Sequence, residues 1–417
     1  MPLACGSLWL RTTQTTKSTV LSEGASVVRK SDKDKHKESS SRFTTKEAQS
    51  SFAYAFVIGG CYPEDPAYRG FLYNVLISTR ILHRVKTQAD IVLYIQMSYK
   101  SAWDRLPEQD VVTDLGIRLI YLDTNPHESF YEVVLEKFRI LQLVEYKRVL
   151  LLDADVMPFG NLDYHFKESV NGHWMENYVV TSEHEPANGG FFMLTPHQGD
   201  WDQLQAIVRQ RELASAAAAA KQQDENSDSL LFDPVQGWGH VIEPPDYWET
   251  KRLTGQTNWT FNFAYSDQGL LYHSVKYVKK NVSIRINGRI HHWTTMPNGT
   301  LYWANTTRRV LARFADPVVV DWFWCLRWGC DWAHFTSDGK PWMTGPPDVI
   351  VKNPQHQATN AIELWFTTLR ELNQEYGLGV NFTHWSLGKR PTLGTFAGGG
   401  QVRAKTERTI QLIKHGP

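Results

Sequence analysis

The stretch Arg148–Val156 constrains this chain most, because a run of four apolar residues, Val149–Leu152, is followed at once by Asp153 and Asp155. An apolar run of this length predicts a strand buried on both faces of a parallel sheet. Bare carboxylates at its end would be costly to bury, and ligands of open α/β sheets collect at the carboxyl ends of strands. We therefore expect the two aspartates to hold a metal ion. The alternative is that Asp153 ends the strand and Asp155 caps a turn.

Apolar patterns on both sides of this stretch predict an α/β fold. The predicted strands span 53–58, 91–95, 118–122, 149–152, 178–181 and 191–194. The predicted helices span 68–84, 129–146, 201–220 and 361–371, and another begins after Ser266 as its cap. This order of strands and helices predicts an open, mostly parallel sheet with helices on both faces.

Composition divides the 417 residues into three parts. Residues 1–51 are predicted to be a disordered tail, in which the polar stretch 31–38 has no apolar face to bury. We expect a single folded domain at 52–345, with an ordered insertion rich in Pro, Gly and Trp at 234–259, and a C-terminal extension at 346–417. The chain has 16 tryptophans, whose flat faces suit sugar rings, although a large aromatic core would account for most of them.

The charge balance and the hydropathy of the chain indicate whether it binds nucleic acid or crosses a membrane. Lysine plus arginine equals aspartate plus glutamate at 44 each, so no electrostatic argument favours a nucleic-acid partner. No apolar run is long enough for a signal peptide or a membrane-spanning helix. We expect no nucleic acid and no membrane span, and we leave association with a membrane surface open.

Five short motifs, taken in order, resemble glycosyltransferase family 8, the glycogenin-like group. They are Lys137, Asp153-Ala154-Asp155, Asn188-Gly189-Gly190, Asp267-Gln268-Gly269-Leu270-Leu271, and His334-Phe335 followed by Gly339-Lys340-Pro341-Trp342. The resemblance covers about residues 53–342. It implies a GT-A fold, which is a nucleotide-binding α/β sheet with a metal site, and it implies that 52–345 is the catalytic domain.

The resemblance implies a set of metal and phosphate ligands. Asp153, Asp155 and His334 would hold the ion, and an imidazole ligand favours Mn²⁺ over Mg²⁺. Lys340 would act as a point charge on the departing phosphate. Taken alone, His334 is more often a packed surface histidine and Lys340 a solvated loop lysine.

Other matched residues would contact the donor or the acceptor. Lys137 would reach the diphosphate or sugar, or else form an ordinary surface pair on its helix. Asp267 would accept hydrogen bonds from the sugar or acceptor, or else serve as charge at a helix N-terminus. Tyr68 would stack near the uracil, or else pack in the core.

The remaining matches concern the sugar and the backbone around it. Asn188 and Gln268 would offer amides to sugar hydroxyls, and Gly190 would allow the backbone to approach a ligand closely. Two departures affect the donor: Gly59-Gly60-Cys61 replaces the Thr-x-Asn that the family often has near the uridine, and Ala264 stands where a sugar-binding aspartate is expected.

These matches predict a metal-dependent retaining hexosyltransferase. It would move a hexose or uronic acid from a UDP-sugar to the hydroxyl of a glycan, protein, lipid or polyol acceptor. One alternative is a catalytically inactive glycan-binding protein on a transferase scaffold, and the other is a glycoside hydrolase. Release of UDP with and without Mn²⁺ separates the three.

The compartment gives a first testable prediction. The chain has glycosylation sequons at Asn258, Asn281, Asn298, Asn305 and Asn381, where chance would give about two or three. Cys325 and Cys330 are close enough in sequence for a small disulfide loop, or are two buried thiols.

We expect the Golgi or another secretory compartment rather than the cytosol. Protein from a eukaryotic host should therefore shift on a gel after endoglycosidase treatment. Unchanged mobility together with two free thiols would place it in the cytosol.

Overall fold

The structure of the chain is a computed structural model. It describes residues 48–61, 66–97, 109–122, 130–158, 160–180, 186–222, 237–239, 259–261, 263–286, 289–295, 301–309, 332–336, 348–350 and 359–380. Several features discussed above lie outside these residues, namely most of the predicted tail and of the insertion, Cys325, Cys330 and Lys340.

The described strands, numbered in chain order, form two sheets. They are β1 (Phe52–Cys61), β2 (Asp90–Met97), β3 (Arg118–Leu122), β4 (Arg148–Leu152), β5 (Val156–Pro158), β6 (Asn177–Val180), β7 (Phe191–Leu194), β8 (Asn281–Ile286), β9 (Arg289–Thr295), β10 (Leu301–Arg309), β11 (Trp332–Thr336) and β12 (Asp348–Ile350). Within the described residues the larger sheet has nine strands in the order β10-β9-β8-β6-β7-β4-β1-β2-β3, and the smaller has the order β12-β11-β5.

The large sheet is mostly parallel, which confirms the expected fold class. Strands β3, β2, β1 and β4 pair in parallel, and so do β6 and β8. Strands β7 and β9 run antiparallel to their neighbours. Only Asn287 and Gly288 separate β8 from β9, and such a short connection can join antiparallel strands but is too short for a parallel crossover.

Helices pack on both faces of this sheet, as the sequence predicts. They are α1 (Pro66–Arg84), α2 (Gln109–Asp114), α3 (Phe130–Leu135), a 3₁₀ segment (Glu136–Gln142), α4 (Tyr164–Val170), α5 (Asp200–Gln222), α6 (Asp267–His273), a π segment (Ser274–Val278) and α7 (Thr359–Tyr376). The alternation of β1 shows the two faces. Tyr54 and Phe56 belong to the apolar cluster that includes α1 and α7, whereas Ala53 and Ala55 belong to the cluster that includes the 3₁₀ segment and α6.

The helix predicted over 129–146 is wrong in type and length. Its α-helical part ends at Leu135, and the chain continues as a 3₁₀ helix that ends at Gln142; Ser129, its predicted cap, lies outside the described residues. The apolar stripe of this segment is irregular, which is why its periodicity did not identify the ending. With three residues per turn, the tighter helix buries Lys137 together with Phe138 and Ile140.

The order of the parallel strands creates a crevice. From β1 the chain builds β2 and then β3 outward on one side, and it then returns to place β4 on the other side of β1. The order of strands therefore reverses between β1 and β4. Ligands of open α/β sheets bind at such a reversal, outside the carboxyl ends of the strands. The residue that follows β4 is Asp153.

Helix α7 belongs to the same core as the sheet, although the sequence places it in the C-terminal extension. Trp365 is 1% exposed, and its indole N–H donates a hydrogen bond of 2.7 Å to Oδ1 of the buried Asn74 on α1. Arg80 and Glu375 form an ion pair of 2.6 Å between the same two helices. Among the described helices, none combines the length and apolar character needed to cross a membrane.

We expect Trp365→Phe to lower the free energy of unfolding by about 1–3 kcal/mol, because it leaves the Asn74 oxygen buried without its donor. Thr367→Ala, at an exposed position of α7, should change it by less than about 0.5 kcal/mol. Urea unfolding followed by circular dichroism measures both. Equal effects of the two substitutions would show that α7 does not depend on this contact.

Candidate functional site

The acid pair lies between β4 and β5, at the crevice. Asp153 is 8% exposed and Asp155 3% exposed, so both carboxylates are buried. The backbone N–H of Asp153 donates to the carbonyl of Gly190 at 2.9 Å, and that of Val156 donates to the carbonyl of Asp153 at 2.8 Å. Asp153 thus ends the strand, as the structural alternative held, but its buried side chain faces a pocket as well.

Lys137 is held between two aspartates that are far apart in the sequence. Its Nζ lies 2.9 Å from Asp153 Oδ2, 2.7 Å from Asp267 Oδ2 and 3.4 Å from the carbonyl oxygen of Gly189. The lysine is only 7% exposed. Its partners are 16 and 130 positions away along the chain, so the alternative of a surface pair within one helix is wrong.

Asp267 reaches Lys137 from the first turn of α6. It is 1% exposed, and its other oxygen, Oδ1, accepts a hydrogen bond of 2.9 Å from Ser266 Oγ. Ser266 occupies the cap position but makes no side-chain capping bond. Its predicted capping role is therefore not realised, because the hydroxyl donates to Asp267 instead. Gln268 follows at 4% exposure.

The segment Asn188-Gly189-Gly190 shapes the neighbouring wall. Asn188 N–H donates to the carbonyl of Val180 at the end of β6 at 2.8 Å, and Asn188 Oδ1 accepts from Gly190 N–H at 2.9 Å. The two glycines predicted a close approach of the backbone to a ligand. At Gly189 the close approach is to the protein itself, because an added Cβ would lie 2.3 Å from Asp267 Oδ2.

The charged groups of this cluster shift one another's pKa values. Burial raises the pKa of Asp153 to about 6; the Lys137 ammonium opposes this rise, and the Asp155 and Asp267 carboxylates add to it. Burial alone would lower the pKa of Lys137, but Asp153 and Asp267 raise it above its ordinary value. Lys137 therefore stays protonated and contacts Asp153 and Asp267. A divalent cation beside Asp153 and Asp155 would act on Asp153 in the same direction as the ammonium does, by favouring its charged form.

The side chains at this site supply some, but not all, of the ligands that a divalent cation needs. Carboxylate oxygens suit Mg²⁺ and Mn²⁺, and Asp153 and Asp155 both line the pocket. Among the described side chains, however, no group of three His, Cys, Asp or Glu residues is placed to enclose a metal. Asp153 and Asp155 would hold an ion only with further ligands from the chain, from phosphate or from water.

The backbone of His334 lies beside this acid pair. In the small sheet β11 pairs antiparallel with β5, and His334 is directly opposite Val156, the residue after Asp155. On its other side His334 pairs with Ile350 of β12. The structure thus places the backbone of His334 on the strand next to β5, whereas Lys340 lies outside the described residues.

The pocket extends from the acid pair to the carboxyl end of β1. Its wall includes Ile58, Gly59, Phe71 of α1 and Val133 of α3. Sequence reasoning named the segment that contains Gly59 but missed Ile58, Phe71 and Val133. It named Tyr68 as well, which is 1% exposed and belongs to an apolar core cluster, as the alternative interpretation held. These pocket residues could have been identified only from the position of β1 beside β4, and apolar runs in the sequence do not reveal that position.

Comparison with known proteins gives a limited likeness. No protein-family model and no curated protein matches the chain. Among solved structures it is similar to the galactosyltransferase LgtC in complex with donor and acceptor sugar analogs, with 11% identity, 76% of this chain and 95% of that chain covered, and a TM-score of 0.35. It is also similar to the glycosyltransferase GlyE of Streptococcus pneumoniae TIGR4 (17% identity, 43% of this chain, TM-score 0.26) and to the bifunctional glycosyltransferase WbbM (8%, 39%, 0.28).

The chain spans 42% of the length of that GlyE chain and 35% of the WbbM chain. All three TM-scores are below 0.5. The likeness by itself therefore identifies neither a family nor an activity for this chain.

We expect Lys137→Met to lower the free energy of unfolding by about 3 kcal/mol or more, because it leaves buried carboxylates without their cation. Lys147→Met provides a matched control at an exposed position and should cost less than about 0.5 kcal/mol. Urea unfolding at neutral pH measures both. An unchanged midpoint for Lys137→Met would mean that the ammonium does not compensate this cluster.

Proposed function

We propose that this chain is a metal-dependent glycosyltransferase that moves a sugar from a UDP-sugar to an acceptor hydroxyl with retention of configuration. One observation carries the proposal: the buried aspartates that follow β4 lie at the reversal of strand order, and a fixed lysine joins one of them to Asp267. A site with this charge pattern suits a substrate that brings a diphosphate and a divalent cation together. The five motifs that resemble family 8 name the same residues.

The donor would lie across the crevice. Its nucleoside part fits the apolar pocket wall at Ile58, Gly59 and Phe71, since most nucleotide pockets are apolar with a few fixed polar groups. Its diphosphate would then lie over Asp153 and Asp155, at the carboxyl end of β4. In this arrangement the sugar extends toward Asp267, Gln268 and the segment Asn188–Gly190.

Asp153, Asp155 and His334 would hold the metal, and Mn²⁺ suits this mixture of carboxylate and imidazole better than Mg²⁺. When bound, such an ion stabilises the negative charge that develops on the leaving diphosphate. The antiparallel pairing of β11 with β5 supports the assignment of His334, because the two strands place residues 155 and 334 near each other. Lys340 would add a positive charge from the same segment of the chain.

Lys137 is suited to the donor side of the reaction. Its raised pKa keeps the ammonium charged, and its two carboxylate partners fix its position before any substrate binds. A charge fixed in advance needs no reorganisation when the phosphate–sugar bond breaks. Gln268 would donate its amide to sugar hydroxyls, as would Asn188, whose Oδ1 is already engaged by Gly190 N–H.

We expect Asp153→Asn and Asp155→Asn to lower UDP release from the cognate UDP-sugar by about a hundredfold or more, because each removes a charged oxygen beside the leaving group. Initial rates at saturating Mn²⁺, with and without acceptor, measure this. Asp202→Asn, at an exposed position of α5, serves as the control. His334→Ala should weaken binding of Mn²⁺ and UDP in titration calorimetry.

Three outcomes would overturn the proposal. Turnover near the wild-type rate in both aspartate variants would show that Asp153 and Asp155 do not hold a metal needed for the reaction. Release of free sugar from a glycan, without any UDP-sugar requirement, would make the chain a hydrolase. Glycan binding with no UDP release by the wild-type protein under any donor would favour an inactive, glycan-binding scaffold.

A further inference from the structure

Gly189 lies where an added side chain would collide with the Asp267 carboxylate, one of the two charged partners of Lys137. Its backbone does not adopt the left-handed conformation that favours glycine, and neither does that of Gly190. Glycine is thus not needed at position 189 for backbone reasons. It is needed because a Cβ would lie 2.3 Å from Asp267 Oδ2 and 2.9 Å from Asp267 Cγ, which is closer than real contacts allow.

We propose that Gly189 is a positioning residue: the space left by its missing side chain holds the Asp267 carboxylate against the Lys137 ammonium. The catalytic consequence of this inference rests on the function proposed above, whereas its structural part does not. The oxygen that would collide with a Cβ is Oδ2, and the same atom accepts the 2.7 Å bond from Lys137.

The Asp267 carboxylate has few ways to avoid an added methyl group. It is 1% exposed, and its other oxygen accepts a hydrogen bond from Ser266 Oγ. Moving Oδ2 away from position 189 therefore breaks the bond to Lys137 and disturbs the bond to Ser266. Lys137 would then retain Asp153 at 2.9 Å as its close partner, with the Gly189 carbonyl at 3.4 Å.

Such a change bears directly on the metal site. In the native arrangement Asp267 shares the lysine with Asp153, so Asp153 is only partly neutralised by it. Without that competition the ammonium pairs more fully with Asp153, the carboxylate that the metal requires. Gly189→Ala is therefore expected to reproduce the effect of Asp267→Ala on Asp153, although it alters no charged group.

Gly190 supplies a matched comparison on the same segment. A Cβ at Gly190 would lie 3.2 Å from Asn188 Oδ1 and 3.3 Å from Asp153 Oδ2, which is tight, but Asp267 is not among the atoms it would meet. Any effect of Gly190→Ala should therefore be independent of Asp267.

A double-mutant cycle tests the inference in the full-length protein. The variants are Gly189→Ala, Asp267→Ala, their combination, and Gly190→Ala with and without Asp267→Ala. The thermal midpoint is measured for each, and UDP release is measured alongside it. Gly189→Ala alone should lower the midpoint by about 3 °C or more and the rate by about tenfold to a hundredfold, the cost of small displacements in a catalytic site.

In the Asp267→Ala background the further change Gly189→Ala should alter the midpoint by less than about 1 °C and the rate by less than about twofold. The two closest atoms, Oδ2 and Cγ of Asp267, are then gone, and the remaining contact with Gln268 Cγ at 3.2 Å requires only a small shift. The effect of Gly190→Ala should be the same in both backgrounds. Equal losses from Gly189→Ala in both backgrounds would overturn the inference, since they would show that position 189 acts without Asp267.

Two further outcomes are decisive. If Gly189→Ala fails to fold, folding of the double variant supports the inference, and failure of both variants overturns it. If the wild-type protein releases no UDP from any donor, the proposed function fails, and the midpoints alone decide the role of Gly189.

Discussion

The Lys137 ammonium lies 2.9 Å from Asp153 and 2.7 Å from Asp267, in a place where almost no solvent reaches it. A buried charge is tolerated only when opposite charges and hydrogen bonds compensate its lost hydration. The same requirement applies to the carboxylates. Each group therefore depends on the others, and the elements that carry them must meet at one point: the 3₁₀ segment, the end of β4 and the first turn of α6.

This requirement explains local departures from regular structure. The helix that carries Lys137 tightens from α to 3₁₀ at Glu136, one residue before the lysine, and a change of this kind within a helix is often found at functional positions. Ser266 gives up the capping role that its position suggests and donates to Asp267 instead. Position 189 carries a glycine although its φ does not require one. Each departure lies at the contact between Lys137 and Asp267, and none of them is explained by the local sequence alone.

The amino-acid sequence therefore predicts this fold unevenly. Among the strands with long apolar runs, β7 was predicted with its correct bounds and β4 to within one residue, because burial on both faces leaves a strong local signal. The antiparallel direction of β7 and the shortened helix after Leu135 were not identified, since both are decided by tertiary partners. In the same way, the acid pair was visible as a motif, but the link between Lys137 and Asp267 spans 130 residues and no periodicity reports it. The apolar wall at Phe71 and Val133 depended on knowing that β1 lies beside β4.

The small sheet adds a further constraint on the acid pair. β5 begins at Val156, directly after Asp155, and it is held by β11 at a register that sets His334 opposite Val156. Asp155 is thus placed between the end of one sheet and the start of another, so both sheets fix its position. A residue held in this way cannot follow a moving ligand. We therefore regard β4, β5 and β11 as one frame, which sets the acid pair and the backbone of His334 side by side before any ligand binds.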